Sequence, residues 1–108
     1  MRVISIVMLA AALGLPIAAS SATAPAVHIK NDAFEPHTLT ISAGQTVTFT
    51  NDDDDAHTVT ANDGSFDSKG LDTNGVWRHA FTKPGTYPYF CQLHPFMKGT
   101  IVVNGGGS

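Results

Sequence analysis

The side chains with the clearest capacity for chemistry lie in one short segment near the carboxyl end of the chain. Cys91, His94 and Met97 offer a thiol, an imidazole and a thioether at intervals of three residues. If a strand ends at Cys91, the residues that follow can curl as a loop and turn all three side chains towards one point. Soft sulfur ligands beside imidazole favour copper, whereas structural zinc sites do not usually include a thioether.

A second histidine is needed to complete such a site. One thiolate, two imidazoles and a weakly bound methionine form the ligand set of a blue-copper electron-transfer centre. His57 is the best candidate, because it starts a strand of alternating threonines just after the acidic run Asp52–Asp55. The remaining histidines have no such spacing and are predicted to be surface or structural residues: His28, His37 and His79.

Each of these residues also has a simpler interpretation. A lone cysteine is usually a small buried residue, and a lone methionine usually fills the core. Cys91 and His94 could instead be the nucleophile and base of a thiol enzyme, but that hypothesis leaves Met97 unexplained. The chain has no His-x-His or His-Cys-His run of the kind that copper oxidases use, so we do not predict an enzyme. The spacing leaves open whether a bound copper carries electrons or is delivered, sequestered or detoxified.

Length and composition limit the other possibilities. The chain has 108 residues, enough for one domain. It is 43% hydrophobic and 14% charged, which argues against a disordered chain or a coiled coil. It has 6 basic and 9 acidic residues and a net charge of −3, whereas a nucleic-acid-binding domain normally has a basic surplus. Its one cysteine excludes an internal disulfide framework and a tetrathiolate zinc site.

The amino-terminal residues have the features of a secretory signal peptide. Arg2 provides positive charge, residues 3–19 form an apolar run, and small residues follow. The run is interrupted by Gly14 and Pro16 and is short for a membrane span of about 20 apolar residues.

These features define the expected domain organisation. We predict a signal peptide at residues 1–22 with cleavage after Ala22, a single domain at 23–103 and a flexible tail at 104–108. Export places the mature protein in an oxidising compartment, the bacterial periplasm. A single cysteine in such a compartment needs a role, and metal ligation is one such role.

Beyond residue 25 the sequence alternates with a period of two, which is typical of β-strands. Turn sequences such as Asp63-Gly64, Asn74-Gly75 and Pro84-Gly85 separate the strands. Seven short strands in so short a chain favour an all-β domain, either a β-sandwich or a small barrel. We place them at Ala26–Asn31, Thr38–Ser42, Gln45–Thr50, His57–Ala61, Val76–Phe81, Thr86–Cys91 and Thr100–Val103.

The same alternation selects candidates for the core. Tyr87 and Tyr89 share the parity of Cys91, so we expect both rings to pack beside it. Trp77 and Phe81 are core candidates by the same argument.

Two irregular segments complete the mature chain. Residues 62–75 are predicted to form a long surface excursion that Phe66 and Leu71 hold down. The Asp52–Asp55 run is interpreted as a solvated loop, because four like charges do not pack together. The alternative is an electrostatic patch that steers a basic partner at low ionic strength.

The residues described above resemble those of the cupredoxins, small type 1 blue-copper proteins, and most closely those of the amicyanin and plastocyanin type. The resemblance spans almost the whole mature chain and is sharpest over residues 81–103. There the Cys-x-x-His-x-x-Met spacing and the His-Pro-Phe-Met run at 94–97 match amicyanins. The segment at 55–60, Asp-Ala-His-Thr-Val-Thr, corresponds to the family's upstream histidine. Thr58 is a departure, since amicyanins and azurins often have asparagine there, but its backbone N–H is still available to the cysteine sulfur.

The resemblance implies a cupredoxin-like Greek-key β-sandwich of about seven to eight strands. It implies one type 1 copper ion whose ligands are His57, Cys91, His94 and Met97. The function that it implies is single-electron transfer by a soluble monomer between a redox donor and acceptor, such as a cytochrome c or a dehydrogenase. The short amino-terminal region differs from amicyanin, so the identity of the redox partner does not carry over.

Overall fold

The computed structural model describes residues 24–105, and this part of the chain forms eight β-strands and no helix. The predicted signal peptide and residues 106–108 of the predicted tail lie outside the described residues. A helix long and apolar enough to cross a membrane is absent from residues 24–105. The strands in chain order are β1 (Ala26–Lys30), β2 (Ala33–Glu35), β3 (Thr38–Ser42), β4 (Thr46–Asn51), β5 (Thr60–Ala61), β6 (Val76–Ala80), β7 (Gly85–Phe90) and β8 (Lys98–Asn104).

The strands form two four-stranded sheets, so the predicted all-β sandwich is confirmed. One sheet has the order β2-β1-β4-β6 and the other has the order β3-β8-β7-β5. Strand β1 runs parallel to β4, and β3 runs parallel to β8. The other pairs are antiparallel. Because β7 and β8 are adjacent and antiparallel, the residues between them, 91–97, must form a loop at one end of the second sheet.

The core follows from the period-two pattern of the strands. On β1 and β4 the buried apolar residues alternate with exposed or half-buried ones, and Val27 pairs with Phe49 in the parallel register. Burying one face of each sheet gives the sandwich its stability. The buried apolar residues are Val27, Ile29, Phe34, Ile41, Val47, Phe49, Val59, Ala61, Phe66, Leu71, Phe81, Tyr89, Cys91, Met97, Ile101 and Val103.

The predicted packing of the aromatic residues is confirmed in part. Phe81 and Tyr89 are buried, whereas Trp77 and Tyr87 are half-buried against the edge of the core. Tyr89 lies opposite Gly99 in the β7–β8 pair, and a Cβ atom added to Gly99 would lie 2.5 Å from the tyrosine ring. A side chain at position 99 would therefore displace the ring of Tyr89, which lies two residues before Cys91 in the sequence.

The 62–75 excursion packs onto the core through Phe66 and Leu71, as expected. Phe66 and Leu71 are buried, and the Phe66 ring lies 5.4 Å from the Phe81 ring, measured between centroids. The segment therefore closes one edge of the core.

Strand β2 was not predicted. It has three residues and follows a two-residue turn in which Asn31 and Asp32 have φ angles of 53° and 56°. Two successive positive φ angles are typical of the tight turns that join antiparallel strands. Three residues are too few to display a period of two, so the alternation gave no signal.

Most predicted strand ends differ from the observed ones by one or two residues, and two differences affect the interpretation. Strand β5 is confined to Thr60–Ala61, so it does not begin at His57. Asn104, predicted to belong to the flexible tail, is the last residue of β8 and pairs with Ser42 of β3. The parallel partner strand extends β8 beyond the point where its own apolar alternation ends.

Candidate metal centre

The loop at 91–97 is closed by its own backbone. The N–H of His94 donates to the carbonyl of Cys91 at 3.3 Å, and the N–H of Met97 donates to the carbonyl of His94 at 2.9 Å. The N–H of Cys91 donates to the carbonyl of Met97 at 3.2 Å. Each bond between successive predicted ligands spans three residues. Residues 91–97 therefore form two consecutive turns.

His57 reaches the loop from the far side of the sequence. It pairs with Leu71 of the 62–75 excursion through two backbone hydrogen bonds of 3.1 and 2.7 Å. The histidine is fully buried, with a relative exposure of 0%. Its position is thus fixed by an isolated bridge to the excursion, rather than by the strand start that the sequence predicted.

The structure brings the predicted thiol and both imidazoles together. The Sγ atom of Cys91 lies 3.7 Å from Nδ1 of His57 and 3.8 Å from Nδ1 of His94. The ligand atoms of the three residues all lie within 4.8 Å of one another. Their burial differs: Cys91 and His57 are fully buried, and His94 is half-buried.

These separations suit a shared metal ion. A sulfur about 2.3 Å and a nitrogen about 2.0–2.1 Å from one ion, about 120° apart in a trigonal site, lie about 3.8 Å from each other. The two sulfur–nitrogen distances match this value. One thiolate and two imidazoles in a trigonal arrangement are the donor set that selects copper in electron-transfer sites.

Met97 lies at the end of the same loop and has a relative exposure of 2%. Its backbone accepts from Cys91 and donates to His94, so its side chain starts next to both predicted ligands. The assignment of its thioether as the fourth ligand stays a prediction.

The sulfur of Cys91 receives a hydrogen bond from the protein. The backbone N–H of Thr58 donates to Sγ at 3.3 Å, as the sequence comparison anticipated. The Thr58 hydroxyl adds a contact that was not predicted: it accepts from the N–H of Gln92 at 2.8 Å. Threonine therefore braces the ligand loop at the position where amicyanins and azurins often have asparagine.

The other three histidines lie outside the centre. His28 is exposed and pairs with Asp52 at 2.7 Å, and His37 is exposed beside Thr38. His79 is half-buried, with its ring stacked on Trp77 at 5.0 Å between centroids. Within residues 24–105, none of the three belongs to a group of side chains placed to hold a metal.

The acidic run is not uniformly solvated, and here the sequence interpretation was wrong. Asp52, Asp54 and Asp55 are exposed, but the side chain of Asp53 is only 14% exposed and its Oδ2 lies 2.9 Å from Nε2 of His57. The spacing of four residues between Asp53 and His57 was the available signal. It was hidden because all four residues of the run are the same type.

Burial and hydrogen bonding act in opposite directions on Asp53. Burial by itself raises the pKa of the carboxyl, but hydrogen bonds from the N–H groups of Asp32 and Asn31 and from His57 outweigh it. The pKa of Asp53 is therefore held below its ordinary value, and the side chain is a carboxylate at neutral pH.

Comparison with known proteins agrees with this geometry. A model of the cupredoxin-like domain family matches residues 3–103. Amicyanin-alpha of Methylorubrum extorquens is 37% identical over 82 residues, covering 71% of this chain and 69% of that protein.

Two solved structures are similar as well. A reduced Cu(I) form of an amicyanin variant has a TM-score of 0.70 and 30% identity over 79% of this chain and 86% of that chain. A purple cupredoxin from Nitrosopumilus maritimus has a TM-score of 0.69 and 30% identity over 74% of this chain and 99% of that chain. On this evidence the chain belongs to the cupredoxin-like domain family.

Proposed function

We propose that this protein is a type 1 copper protein that carries single electrons between redox partners. The observation that carries the proposal is the convergence of one sulfur and two imidazole nitrogens at 3.7 and 3.8 Å in a largely buried site. Bound copper supplies a Cu(I)/Cu(II) couple. We assign its ligands as His57, Cys91, His94 and Met97.

The chain's own contribution is a set of donors whose positions are fixed in advance. Cys91 is tied to the end of β7 and receives the Thr58 N–H, while His57 is held by its bridge to Leu71. Soft sulfur donors suit Cu(I), and imidazoles suit both oxidation states. A donor set that does not rearrange with oxidation state keeps the cost of electron transfer low.

His94 provides the path to the surface. It is half-buried, and exposed apolar side chains flank it on the loop: Leu93 is 55% exposed and Phe96 is 69% exposed. The Phe96 ring lies 6.2 Å from the His94 ring between centroids. A partner that covers these two apolar side chains would come close to the imidazole edge. Because the contact is small, the complex would be short-lived.

Acidic groups surround the same end of the molecule. Oxygens of Asp32 and Asp55 lie within 4.8 Å of each other and of a His94 nitrogen. We propose redox proteins with a basic rim around an apolar face as the donor and acceptor, a cytochrome c or a dehydrogenase being examples. Opposite charges raise the association rate and make it dependent on ionic strength.

We propose that the protein works in the bacterial periplasm as a monomer and is not an enzyme. The signal-peptide pattern of residues 1–22, followed by a domain at 23–103, supports the periplasmic location. The mass of the exported protein tests the cleavage site: cleavage after Ala22 predicts that the mature chain starts at Thr23.

Voltammetry and chelator challenge of the copper-loaded protein test electron transfer against copper delivery. An electron carrier gives a reversible one-electron couple and retains its copper over many cycles in the presence of a Cu(I) chelator. Irreversible reduction, with copper released to the chelator in each cycle, would contradict the proposal and favour copper handling.

A further inference from the structure

The side chain of Asp53 joins three parts of the molecule at one carboxylate. Its Oδ1 accepts the backbone N–H of Asn31 at 2.7 Å, and its Oδ2 accepts the backbone N–H of Asp32 at 3.0 Å. The same Oδ2 lies 2.9 Å from Nε2 of His57. The residue itself is positioned by its own N–H, which donates to Oδ1 of Asn51 at 2.9 Å.

Asn31 and Asp32 form the turn between β1 and β2, and both have positive φ angles. This backbone conformation points two successive N–H groups the same way, and the Asp53 carboxylate accepts both. The β1–β2 turn and the metal centre therefore share one acceptor.

The cluster of Asp32, Asp53 and His57 does not require a cation in addition to the proposed copper ion. Asp32, Asp53 and His57 offer ligand atoms within 4.8 Å of one another. Both oxygens of Asp53 are already occupied by hydrogen bonds, and the nearer Asp32 oxygen lies 3.6 Å from Nε2, beyond hydrogen-bond range. The carboxylate thus acts as a hydrogen-bond acceptor.

The two nitrogens of His57 face different neighbours. Nε2 faces the Asp53 carboxylate, and Nδ1 faces the Cys91 sulfur. The Asp53 carboxylate accepts hydrogen bonds from its other neighbours, so in its 2.9 Å contact with Nε2 the proton lies on Nε2. The lone pair of Nδ1 is then directed at the metal centre.

We propose that Asp53 is a positioning residue, which fixes the tautomer and the ring orientation of His57 so that Nδ1 is presented to the metal. The inference rests on the proposed copper centre. Hydrogen bonds from a ligand imidazole to a carboxylate fix the ring and increase its basicity, and their loss typically costs 10- to 100-fold in metal affinity or activity. A negative charge next to the ligand also favours Cu(II) over Cu(I), so Asp53 lowers the reduction potential.

The first test uses the metal-free protein and does not depend on copper. Long-range ¹H–¹⁵N spectra at pH 8 report which nitrogen of His57 carries the proton. We expect the Nε2–H tautomer in the wild type and in Asp54→Asn, an exposed control in the same run, and a mixture of tautomers in Asp53→Ala. Retention of the pure Nε2–H form in Asp53→Ala would overturn the proposal.

The second test separates geometry from charge. Asp53→Asn keeps one oxygen, which at the Oδ2 position still accepts from both Asp32 and His57. We expect this variant to keep the tautomer but to raise the reduction potential. Asp53→Ala should raise the potential and weaken copper binding by about 10- to 100-fold, with Asp54→Asn close to the wild type.

The outcomes remain distinguishable if one variant fails. If Asp53→Ala does not fold, the wild-type spectrum decides, and an Nδ1–H form of His57 in the metal-free protein would overturn the inference. A potential of Asp53→Asn equal to that of Asp54→Asn would contradict only the effect assigned to the charge. If the wild type does not bind copper, the proposed function fails while the tautomer measurement still stands.

Discussion

The backbone N–H of Thr58 donates a hydrogen bond to the sulfur of Cys91 at 3.3 Å, although 33 residues separate them in the sequence. The same threonine holds the residue after Cys91, because its hydroxyl accepts from the N–H of Gln92 at 2.8 Å. One residue next to His57 therefore fixes both the sulfur ligand and the start of the ligand loop. Hydrogen bonding to the cysteine sulfur is one of the features that set the potential of copper–thiolate sites.

Replacing Thr58 by valine removes the hydroxyl and keeps the backbone N–H. We expect a loss of about 0.5–1.5 kcal/mol in the free energy of unfolding, because the Gln92 N–H and the Thr60 hydroxyl each lose a partner. The visible spectrum should persist, since the bond to sulfur comes from the backbone. Urea unfolding of metal-free protein measures the effect, and Thr58→Ser is the matched control that retains the hydroxyl. Equal stability of the valine and serine variants would show that the brace contributes nothing.

Substitutions of Met97 test its assignment as a weak fourth ligand. Met97→Gln should still bind copper but with a lowered potential, because a harder oxygen donor favours Cu(II). Met97→Leu offers no donor and should shift the potential upwards. Voltammetry and copper analysis check both, and total loss of copper from the glutamine variant would make Met97 a principal ligand, contrary to the assignment.

The hydroxyl group of Tyr89 lowers the stability of the folded protein, compared with phenylalanine at the same position. Its hydroxyl is buried and has no hydrogen-bond partner within residues 24–105, and burial raises its pKa, so it stays neutral. Tyr89→Phe should raise the free energy of unfolding by about 1 kcal/mol or more, since an unsatisfied buried polar group is removed.

Tyr87 provides the control for that substitution, because its hydroxyl donates to the carbonyl of Lys83 at 2.7 Å. Tyr87→Phe should lower stability by up to about 1 kcal/mol. Denaturant unfolding of both variants decides the matter: a Tyr89→Phe protein less stable than the wild type would mean that its hydroxyl has a favourable partner.

His79 predicts a pH dependence of stability. Its ring packs among Trp77, Phe66 and Phe81, and burial lowers its pKa below the ordinary histidine value of about 6.5. The unfolded chain therefore takes up a proton at a higher pH than the folded one. Stability is at its full value above pH 6.5 and falls as the pH drops from there to the lower pKa of the folded state.

The comparison of wild type with His79→Phe isolates this contribution, because the other histidines are common to both proteins. Metal-free protein is unfolded by urea at several pH values between about 5 and 8, and we expect the stability of the wild type to fall more steeply towards pH 5. Parallel curves for the two proteins would contradict the effect assigned to His79.

The residues of the candidate site could be predicted from the sequence where they lie close together in the chain. Cys91, His94 and Met97 lie within one loop, so their spacing in the sequence is also their spacing in the fold. His57 was selected by its context and by family resemblance, and the structure places it as expected beside the sulfur. Its means of support was not predictable, since the bridge to Leu71 depends on the path of an irregular excursion.

Asp53 could not be separated from its neighbours for a similar reason. Four successive aspartates are locally alike, and which one turns inward depends on the β1–β2 turn that parallel pairing of β1 with β4 brings alongside. Strand β2, at three residues, is likewise defined by its partner rather than by its own pattern. The orientation of Asp53 and the formation of β2 both depend on contacts between segments that are distant in the sequence.

The absorption and electron-spin resonance spectra of metal-free protein titrated with Cu(II) test the central claim most directly. We predict an intense blue or blue-green colour from thiolate-to-copper charge transfer, saturating at one equivalent and with the narrow copper hyperfine splitting of a type 1 site. Cys91→Ser should lack the colour, and we expect it to keep the fold because serine is similar to cysteine in size. A colourless wild-type complex, or a Cys91→Ser protein with the same visible band, would contradict the assignment of Cys91 as the copper ligand.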